Sequence, residues 1–250
     1  MSSPAIDAIR NIALLGHAGA GKTSLAEALL RAAGALNNGN GLLDYDPLEK
    51  EHGHSLKLAC AHFDYEGVRV QLVDTPGYPD FAGQAIAALD AVETAAIVIN
   101  AQNGIEITAR RMALWAQTRK LCRMVVINQI DAGRIDLAAL LEEVRSAFGR
   151  ECLPVNLPAG GGARVVDCFF NTEGEATDFS SVAAAHRALL EQVVEVDEAL
   201  TERYLGGEEI APAALHDAFE QALREGHLLP LLFVSARSGA GVRELIDFVC

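Results

Sequence analysis

The sequence lacks any run of about 18 uncharged apolar residues, the length that a membrane-spanning helix needs. Its first residues, MSSPAIDAIRN, contain neither the basic stretch nor the apolar core of a secretory signal. Cysteine is sparse, with five widely spaced residues and no C-x-x-C pair. That pattern is typical of reduced thiols in a cytosolic protein rather than of disulfides or a zinc site. We therefore expect a cytoplasmic protein that has no contact with a membrane.

Basic residues are also scarce, with 20 Lys and Arg against 34 Asp and Glu and a net charge of −14. Proteins that bind nucleic acid by themselves usually carry a basic surface, so direct DNA binding is not expected. The acidic excess is concentrated between positions 155 and 230, which hold 14 acidic and 4 basic side chains. The chain has 250 residues, 50% of them hydrophobic, and is long enough to bury a core. We expect a monomer in which the acidic segment forms a distinct unit.

Strand-like and helix-like segments alternate along the first 154 residues. Short apolar runs predict buried strands at Asn11–Gly16, Leu58–Tyr65, Val68–Asp74, Ala95–Asn100 and Met124–Asn128. Apolar residues at helical spacing predict helices over Lys22–Ala33, Asp80–Val92, Glu106–Arg119 and Ile135–Phe148. The glycine- and asparagine-rich stretch Gly34–Glu51 predicts a loop. This alternation predicts an α/β fold, in which a mostly parallel sheet carries helices on both faces.

The pattern changes after Pro154. The run Gly160–Gly162 predicts a break, and helices are predicted from about Ser181 to Leu205 and from about Pro212 to Arg224. A buried strand at Leu228–Val234 and an amphipathic helix at Gly241–Val249 follow. We predict that residues 1–154 and 229–250 form one domain and that residues 155–228 form an inserted α+β subdomain. Because no stop signal follows the last helix, we also expect a fragment of a longer protein.

Residues 16–23 fit the phosphate-binding pattern G-x-x-x-x-G-K-[ST] between a predicted strand and a predicted helix. In a P-loop of this kind, backbone N–H groups surround a phosphate at the positive end of the helix. Lys22 would bridge the β- and γ-phosphates, and Thr23 would ligate Mg²⁺. The predicted phosphate-binding residues are Gly16, His17, Ala18, Gly19, Ala20, Gly21, Lys22, Thr23 and Ser24.

The next predicted strand end carries a second group suited to a nucleotide. Asp74 lies where P-loop nucleotide hydrolases place a carboxylate that holds Mg²⁺. Gly77 can offer its backbone N–H to a γ-phosphate. The residues predicted to lie beside the phosphates here are Asp74, Thr75, Pro76, Gly77 and Tyr78.

Two later strand ends predict a site for guanine. The Asp131 carboxylate can accept hydrogen bonds from both N1–H and the 2-amino group of guanine, a donor pair that adenine lacks. Asn128 would brace the loop and reach N7, and a backbone N–H after the strand at Leu228–Val234 would meet O6. The predicted guanine-binding residues are Asn128, Gln129, Ile130, Asp131, Ser235, Ala236 and Arg237.

These segments resemble those of elongation factor G, a translational GTPase. The matching pairs are Gly16–Thr23 with GHxDAGKT, Glu49–Leu56 with the switch segment ExERGITI, Asp74–Phe81 with DTPGHxDF, and Asn128–Asp131 with NKxD. Tyr204–Glu209, YLGGEE, resembles a motif in that family's inserted subdomain. The resemblance implies a P-loop NTPase fold, binding of GTP and GDP, hydrolysis of GTP, Mg²⁺ as cofactor and action on the ribosome.

The sequence departs from the family pattern at four positions. Gly19 replaces a P-loop aspartate, and Gln129 replaces the lysine of NKxD. Ser55 aligns with the switch threonine and keeps its hydroxyl, which gives Thr23, Ser55 and Asp74 as the implied metal ligands. Tyr78 replaces the histidine that positions the attacking water. The implied catalytic residues are Lys22, Gly77 and Tyr78, and the tyrosine predicts slow hydrolysis. These changes resemble those of divergent elongation-factor-G-like paralogues.

Two other functions stay open on the sequence alone. One is a GTP-binding regulatory switch that hydrolyses little GTP, and the other is an ATP enzyme, against which Asp131 argues.

The predicted helix from Ser181 to Leu205 carries a row of glutamates. Their spacings of four, three and four residues would place them on one helical face, and they are Glu191, Glu195, Glu198 and Glu202. By resemblance, the insertion meets the ribosomal stalk protein, and these glutamates would form the docking face. The alternative is a solvated helix face that serves solubility.

Overall fold

The protein is described here from a computed structural model that covers residues 5–36, 43, 49, 55–133, 135–208 and 212–250. The strands are β1 Ile9–Leu15, β2 Ala59–Tyr65, β3 Val68–Asp74, β4 Thr94–Asn100, β5 Cys122–Asn128, β6 Cys152–Pro154, β7 Asn156–Ala159, β8 Arg164–Asp167 and β9 Leu229–Phe233. The α-helices are α1 Lys22–Ala32, α2 Ala82–Leu89, α3 Ile107–Thr118, α4 Leu137–Phe148, α5 Val182–Val194, α6 Glu198–Leu205, α7 Pro212–Glu225 and α8 Val242–Val249. Much of the predicted loop at 34–51, and positions 50–54 of the predicted switch segment, lie outside the described residues.

Seven of the nine described strands form a sheet in the order β2-β3-β1-β4-β5-β9-β6, and β7 and β8 pair with each other in a separate antiparallel sheet. Neighbouring strands of the larger sheet are parallel except for the antiparallel pair β2–β3, a hairpin that turns at Glu66 and Gly67. Both turn residues have positive φ, 48° and 89°, which matches the right-handed twist of the strands they connect. The predicted α/β fold with a mostly parallel sheet is confirmed.

Successive residues along the central strands face two helical layers. In β1, Ile12 and Leu14 pack on the side of α1 and α8, whereas Ala13 and Leu15 pack on the side of α2, α3 and α4. A parallel sheet that is covered on both faces needs apolar residues at every strand position. This requirement explains why the strands appear in the sequence as continuous apolar runs.

The predicted helix from Ser181 to Leu205 is wrong, because the chain forms two helices there. It leaves α5 after Val194, and α6 begins at Glu198. The Asp197 carboxylate accepts a hydrogen bond from the backbone N–H of Leu200 at 3.0 Å, and the Thr201 hydroxyl donates to the carbonyl of Val194 at 2.8 Å. Side-chain caps of this kind start a new helix and take backbone groups that a continuous helix would use.

The break also divides the row of glutamates. Glu191 lies on α5, Glu195 follows its last residue, and Glu198 and Glu202 lie on α6. All four side chains are exposed. The prediction that they share one face of a single helix is therefore wrong, although each of them reaches the surface.

The insertion packs against the main sheet. One buried cluster contains residues of β5 and of helix α8 together with four residues of the insertion. These four are Leu189 and Val193 of α5 and Ala218 and Ala222 of α7. Near the start of the insertion, the buried Asn156 accepts a hydrogen bond from the backbone N–H of Phe233 at 2.7 Å and donates to the carbonyl of Phe233 at 3.1 Å. The division into residues 1–154, 155–228 and 229–250 stays a prediction, with β6 ending at Pro154. Among the helices in the described ranges, none is long and apolar enough to cross a bilayer.

Candidate nucleotide-binding site

The predicted site residues meet at one edge of the sheet, where the parallel strands end. Leu14 of β1 pairs with Asp74 of β3, and Asn100 of β4 pairs with Asn128 of β5. The loops that follow these strands therefore lie side by side. Ligands of open parallel sheets bind at this carboxyl edge.

Lys22 is the first residue of α1, and its side chain folds back to bind two carbonyls of the P-loop. Its Nζ atom donates to the carbonyls of Gly16 at 3.0 Å and His17 at 2.9 Å. Only 6% of the residue is exposed. Burial lowers the pKa of Lys22 from 10.5 to about 8, and the negative charge of Asp74 opposes that shift. The ammonium thus lies over two backbone carbonyls of the loop that is predicted to bind phosphate.

The three predicted metal ligands lie together. The Thr23 hydroxyl donates to Asp74 Oδ2 at 2.5 Å and lies 3.0 Å from the Ser55 hydroxyl. Mg²⁺ prefers oxygen ligands and is usually held by one or two carboxylates together with substrate phosphates. Two hydroxyls and one carboxylate next to a P-loop fit that preference.

Ser55 precedes a segment that the side chains of Glu49 and Gln84 hold in place. Glu49 Oε1 accepts from the backbone N–H groups of Leu56 at 2.8 Å and Lys57 at 3.2 Å. Gln84 of α2 accepts from the N–H of Leu58 and donates to the carbonyl of Leu56, both at 3.0 Å. The segment after Ser55 is thus tied to α2, which follows the loop after β3.

The loop after β3 packs directly on the P-loop. Thr75 Oγ1 donates to the carbonyl of Leu14 at 2.7 Å. A Cβ atom on Gly77 would lie 2.5 Å from the backbone N of Ala18 and 2.6 Å from Lys22 Nζ, so only glycine fits here. The next residue, Tyr78, is 41% exposed. Gly77 is therefore in close contact with the P-loop and with Lys22 Nζ, and the residue that follows it reaches the solvent.

The ring of His17 is buried against the start of α3. Its Nε2 atom lies 3.1 Å from Glu106 Oε1, which also accepts from Asn103 Nδ2 at 3.2 Å. Burial lowers the pKa of His17, the charge of Glu106 opposes this, and the charge of Lys22 adds to it. Glu106 was not among the predicted site residues, because its position before a helix has no nucleotide-binding pattern of its own.

Asn128 joins the P-loop to the loop after β9. Its Nδ2 atom donates to the carbonyls of Ala20 at 3.0 Å and Gly21 at 3.3 Å. Its Oδ1 atom accepts from the backbone N–H groups of Gln129 at 2.8 Å and Ala236 at 3.0 Å. Both ends of the amide therefore brace protein loops. The contacts of Asn128 with guanine N7 and of a backbone N–H at Ser235–Arg237 with O6 stay predictions.

Asp131 and Ser235 form a pair at the outer end of this loop. The Ser235 hydroxyl donates to Asp131 Oδ1 at 2.7 Å and accepts from the N–H of Ser238 at 3.0 Å. Ser235 is buried, and Asp131 is half-buried. The serine therefore fixes the orientation of the carboxylate that is predicted to bind guanine.

Asn100 is a site residue that the sequence analysis missed. Its Nδ2 atom donates to the carbonyl of Gly19 and to Gln129 Oε1, both at 3.2 Å, and Gln129 Nε2 donates to the same Gly19 carbonyl at 3.2 Å. The uncharged amides of Asn100 and Gln129 thus both hold the Gly19 carbonyl, and Gln129 stands where the family pattern has a lysine. A polar residue that ends an apolar strand, as Asp74 and Asn128 also do, was the available signal.

The chain is similar to known proteins in both sequence and fold. Residues 7–250 match the family model described as the elongation factor Tu GTP-binding domain. A protein named elongation factor G-like protein in Mycobacterium tuberculosis is 36% identical over 96% of this chain, and one of the same name in Thermotoga maritima is 31% identical over 96%. A crystal structure of a protein from Thermus thermophilus superposes with a TM-score of 0.86 at 36% identity, covering 96% of this chain and 39% of that one.

The chain spans 36% and 37% of the length of the two curated relatives, so it corresponds to one part of them. Elongation factor G of Thermotoga petrophila is also similar, with 27% identity over 98% of this chain and 39% of that protein. The resemblance to elongation factor G is confirmed. Because the family model accounts for nearly the whole sequence, this chain belongs to the elongation factor Tu GTP-binding domain family, among the proteins related to elongation factor G.

Proposed function

We propose that this chain binds GTP and GDP together with Mg²⁺ and hydrolyses GTP to GDP and phosphate, as part of an elongation factor G-like translation factor. The observation that carries the proposal is the meeting of three chemical groups at one sheet edge. They are the Lys22 ammonium over the P-loop carbonyls, the Thr23–Asp74 hydroxyl–carboxylate pair, and the Asp131–Ser235 pair. The first two suit a metal-bound polyphosphate, and the third suits guanine.

Each part of the nucleotide has protein groups in reach. Lys22 would exchange its two carbonyl contacts for oxygens of the β- and γ-phosphates. Thr23, Ser55 and Asp74 would hold Mg²⁺, with Asp74 acting mostly through water. When bound, the ion neutralises charge that develops on the phosphates. The P-loop N–H groups at the start of α1 and the Gly77 N–H would supply further hydrogen bonds.

Base selectivity tests the binding proposal. The wild-type protein should bind GDP far more tightly than ADP, because adenine would leave the Asp131 carboxylate without its two donors. Asp131→Asn should shift the preference toward xanthine nucleotides, whose O2 can accept from the new amide. Lys22→Ala is the control. It should weaken the binding of every nucleotide, whatever its base, since it removes a contact with the phosphates. Equal affinity of the wild-type protein for ADP and GDP in a competition assay would show that the proposal is wrong.

Hydrolysis should be slow in this chain alone. A phenol at position 78 can hydrogen-bond to water but does not form the cation that an imidazole can form. Groups supplied by a partner raise GTP hydrolysis by roughly 10³–10⁵-fold in other GTPases, so turnover can still depend on a partner. Tyr78→His should increase the single-turnover rate, whereas Tyr78→Phe should not. Rapid hydrolysis by the wild-type chain without a partner would contradict this part of the proposal.

We place the site of action at the ribosome, in the cytoplasm, and propose that the chain is a monomer. The ribosomal stalk protein would bind four exposed carboxylates around the junction of α5 and α6, namely Glu191, Glu195, Glu198 and Glu202. Reversing Glu195 and Glu198 to lysine should weaken binding of the stalk C-terminal domain and its salt dependence, while GDP affinity stays unchanged. Equal binding by the reversed protein would identify these glutamates as a solvated surface.

A further inference from the structure

A glycine turn of the insertion is fixed by one aspartate. Gly160, Gly161 and Gly162 connect β7 to β8 with φ angles of 65°, 70° and 79°. Asp178 Oδ1 accepts from the N–H of Gly161 and Asp178 Oδ2 accepts from the N–H of Gly162, both at 2.9 Å. The backbone N–H of Asp178 in turn donates to the carbonyl of Pro158 in β7 at 2.8 Å. Asp178 thus links the turn, through its carboxylate, to the preceding strand β7, through its backbone N–H.

The same turn touches the loop that carries Asp131. A Cβ atom on Gly162 would lie 2.2 Å from the carbonyl oxygen of Ile130 and 2.9 Å from its carbonyl carbon, so the two backbones are in direct contact. A Cβ atom on Gly161 would meet nothing within 4 Å. Ile130 is buried, and its N–H donates to the carbonyl of Val234 at 3.3 Å. The carbonyl that Gly162 touches belongs to the peptide bond that leads into Asp131.

We propose that Gly162 and Asp178 are positioning residues for guanine recognition. Gly162 supports the Ile130–Asp131 peptide from the side of the insertion, and Asp178 holds Gly162 in place. On the other side, the Ser235 hydroxyl fixes the Asp131 carboxylate at 2.7 Å. The inference rests on the proposed role of Asp131 in binding guanine, and it makes base selectivity depend on the insertion as well as on the sheet.

The contact distances indicate how large the effect should be. A methyl group at position 162 has to move the Ile130 carbonyl by roughly 1 Å before the two atoms reach ordinary contact. A shift of that size at Asp131 disturbs two hydrogen bonds to the base at once. In enzyme active sites, misplacements of about 1 Å lower the reaction rate by about 10²-fold. We expect a loss of comparable size in GDP affinity, roughly 10- to 100-fold.

The turn supplies its own matched control. Gly161→Ala and Gly162→Ala place the same methyl group on neighbouring residues with positive φ, and both residues donate to Asp178. The experiment measures the affinities for GDP, IDP and ADP, because the base of IDP lacks the 2-amino group that Asp131 would accept from. Gly162→Ala should weaken GDP binding and reduce the preference for GDP over IDP, whereas Gly161→Ala should retain both. Asp178→Ala should act in the same direction as Gly162→Ala, and Asp178→Asn, which keeps one acceptor, should restore part of the preference.

Several results would overturn the proposal. It is wrong if the two glycine variants behave alike, or if GDP and IDP affinities fall by the same factor, since a general loss of structure would do either. If Gly162→Ala fails to fold, the ratio of GDP to IDP affinity in Asp178→Ala decides, and an unchanged ratio refutes the proposal. A wild-type protein that does not prefer GDP to ADP would instead refute the proposed function itself.

Discussion

Replacing Lys22 with methionine should remove a pH-dependent contribution to the stability of the nucleotide-free protein. The Lys22 side chain is buried, and its pKa falls from 10.5 to about 8, chiefly through burial and against the charge of Asp74. Below pH 8 the lysine is protonated in both the folded and the unfolded protein. Between pH 8 and 10.5 the folded protein binds fewer protons, so its stability rises with pH in that window.

The size of the effect follows from the two pKa values. One pH unit within the window adds about 1.4 kcal/mol to the free energy of unfolding. By pH 10 the gain relative to pH 7 should reach about 2–3 kcal/mol. Buried cysteines act in the opposite direction, since burial raises the pKa of Cys152 and of Cys168 to about 12 and stability is lost as pH rises past their usual value of 9. The lysine contribution therefore has to be isolated by difference.

Guanidinium unfolding at pH 7, 8, 9 and 10 gives that difference. The free energy of unfolding of wild type minus that of Lys22→Met should rise by about 2–3 kcal/mol across the series, because the cysteines are common to both proteins. Lys120→Met, the same substitution at an exposed position, is the control. The reasoning about Lys22 is refuted if the difference between wild type and Lys22→Met rises no more with pH than the difference between wild type and Lys120→Met.

The same lysine predicts how nucleotide binding varies with pH. Phosphate oxygens favour the ammonium form, so GDP binds the protonated protein. Affinity should be constant below pH 8 and about tenfold weaker at pH 9 than at pH 7. Isothermal titration of the wild-type protein would measure this, and unchanged affinity at pH 9 would contradict the assignment of Lys22 to the phosphates.

Three substitutions test other parts of the structure. Asn100→Ala removes a hydrogen-bond donor from the Gly19 carbonyl, and one such bond is worth about 1 kcal/mol. GDP release should therefore become roughly 5- to 10-fold faster in stopped-flow measurements. An unchanged release rate would exclude a role for the Asn100 amide. Gly77→Ala adds an atom 2.5 Å from the Ala18 nitrogen and should weaken GTP more than GDP in competition binding, and equal loss would argue against contact with the γ-phosphate. Asn156→Ala leaves both backbone groups of Phe233 buried without their partners and should lower the free energy of unfolding by about 2–4 kcal/mol, whereas a loss below about 1 kcal/mol would show that they find other partners.

The apolar pattern of the sequence predicted the longer strands of the sheet and the order of the site segments. The central strands β1, β4, β5 and β9 are buried on both faces, so their apolar runs are continuous and visible without any tertiary contact. The P-loop, Asp74 and Asn128–Asp131 each follow such a run. Since parallel strands end at one edge, their place in the sequence already predicted that they meet.

Local patterns were not enough in the insertion. Apolar spacing continues from α5 into α6, so it did not reveal that the Asp197 cap ends one helix and starts the next. The strands β6, β7 and β8 have three or four residues each, which is too short to show a period, and pairing with β9 or with each other defines them.

Contacts between distant segments were decided only by the tertiary structure. Asn100 became part of the site because β4 lies between β1 and β5, which brings its amide to Gly19 and Gln129. Gly162 meets Ile130 because the insertion packs on the same sheet that carries the loop after β5. Neither residue belongs to a motif, since its role depends on the backbone that packing places against it rather than on its neighbours in the chain.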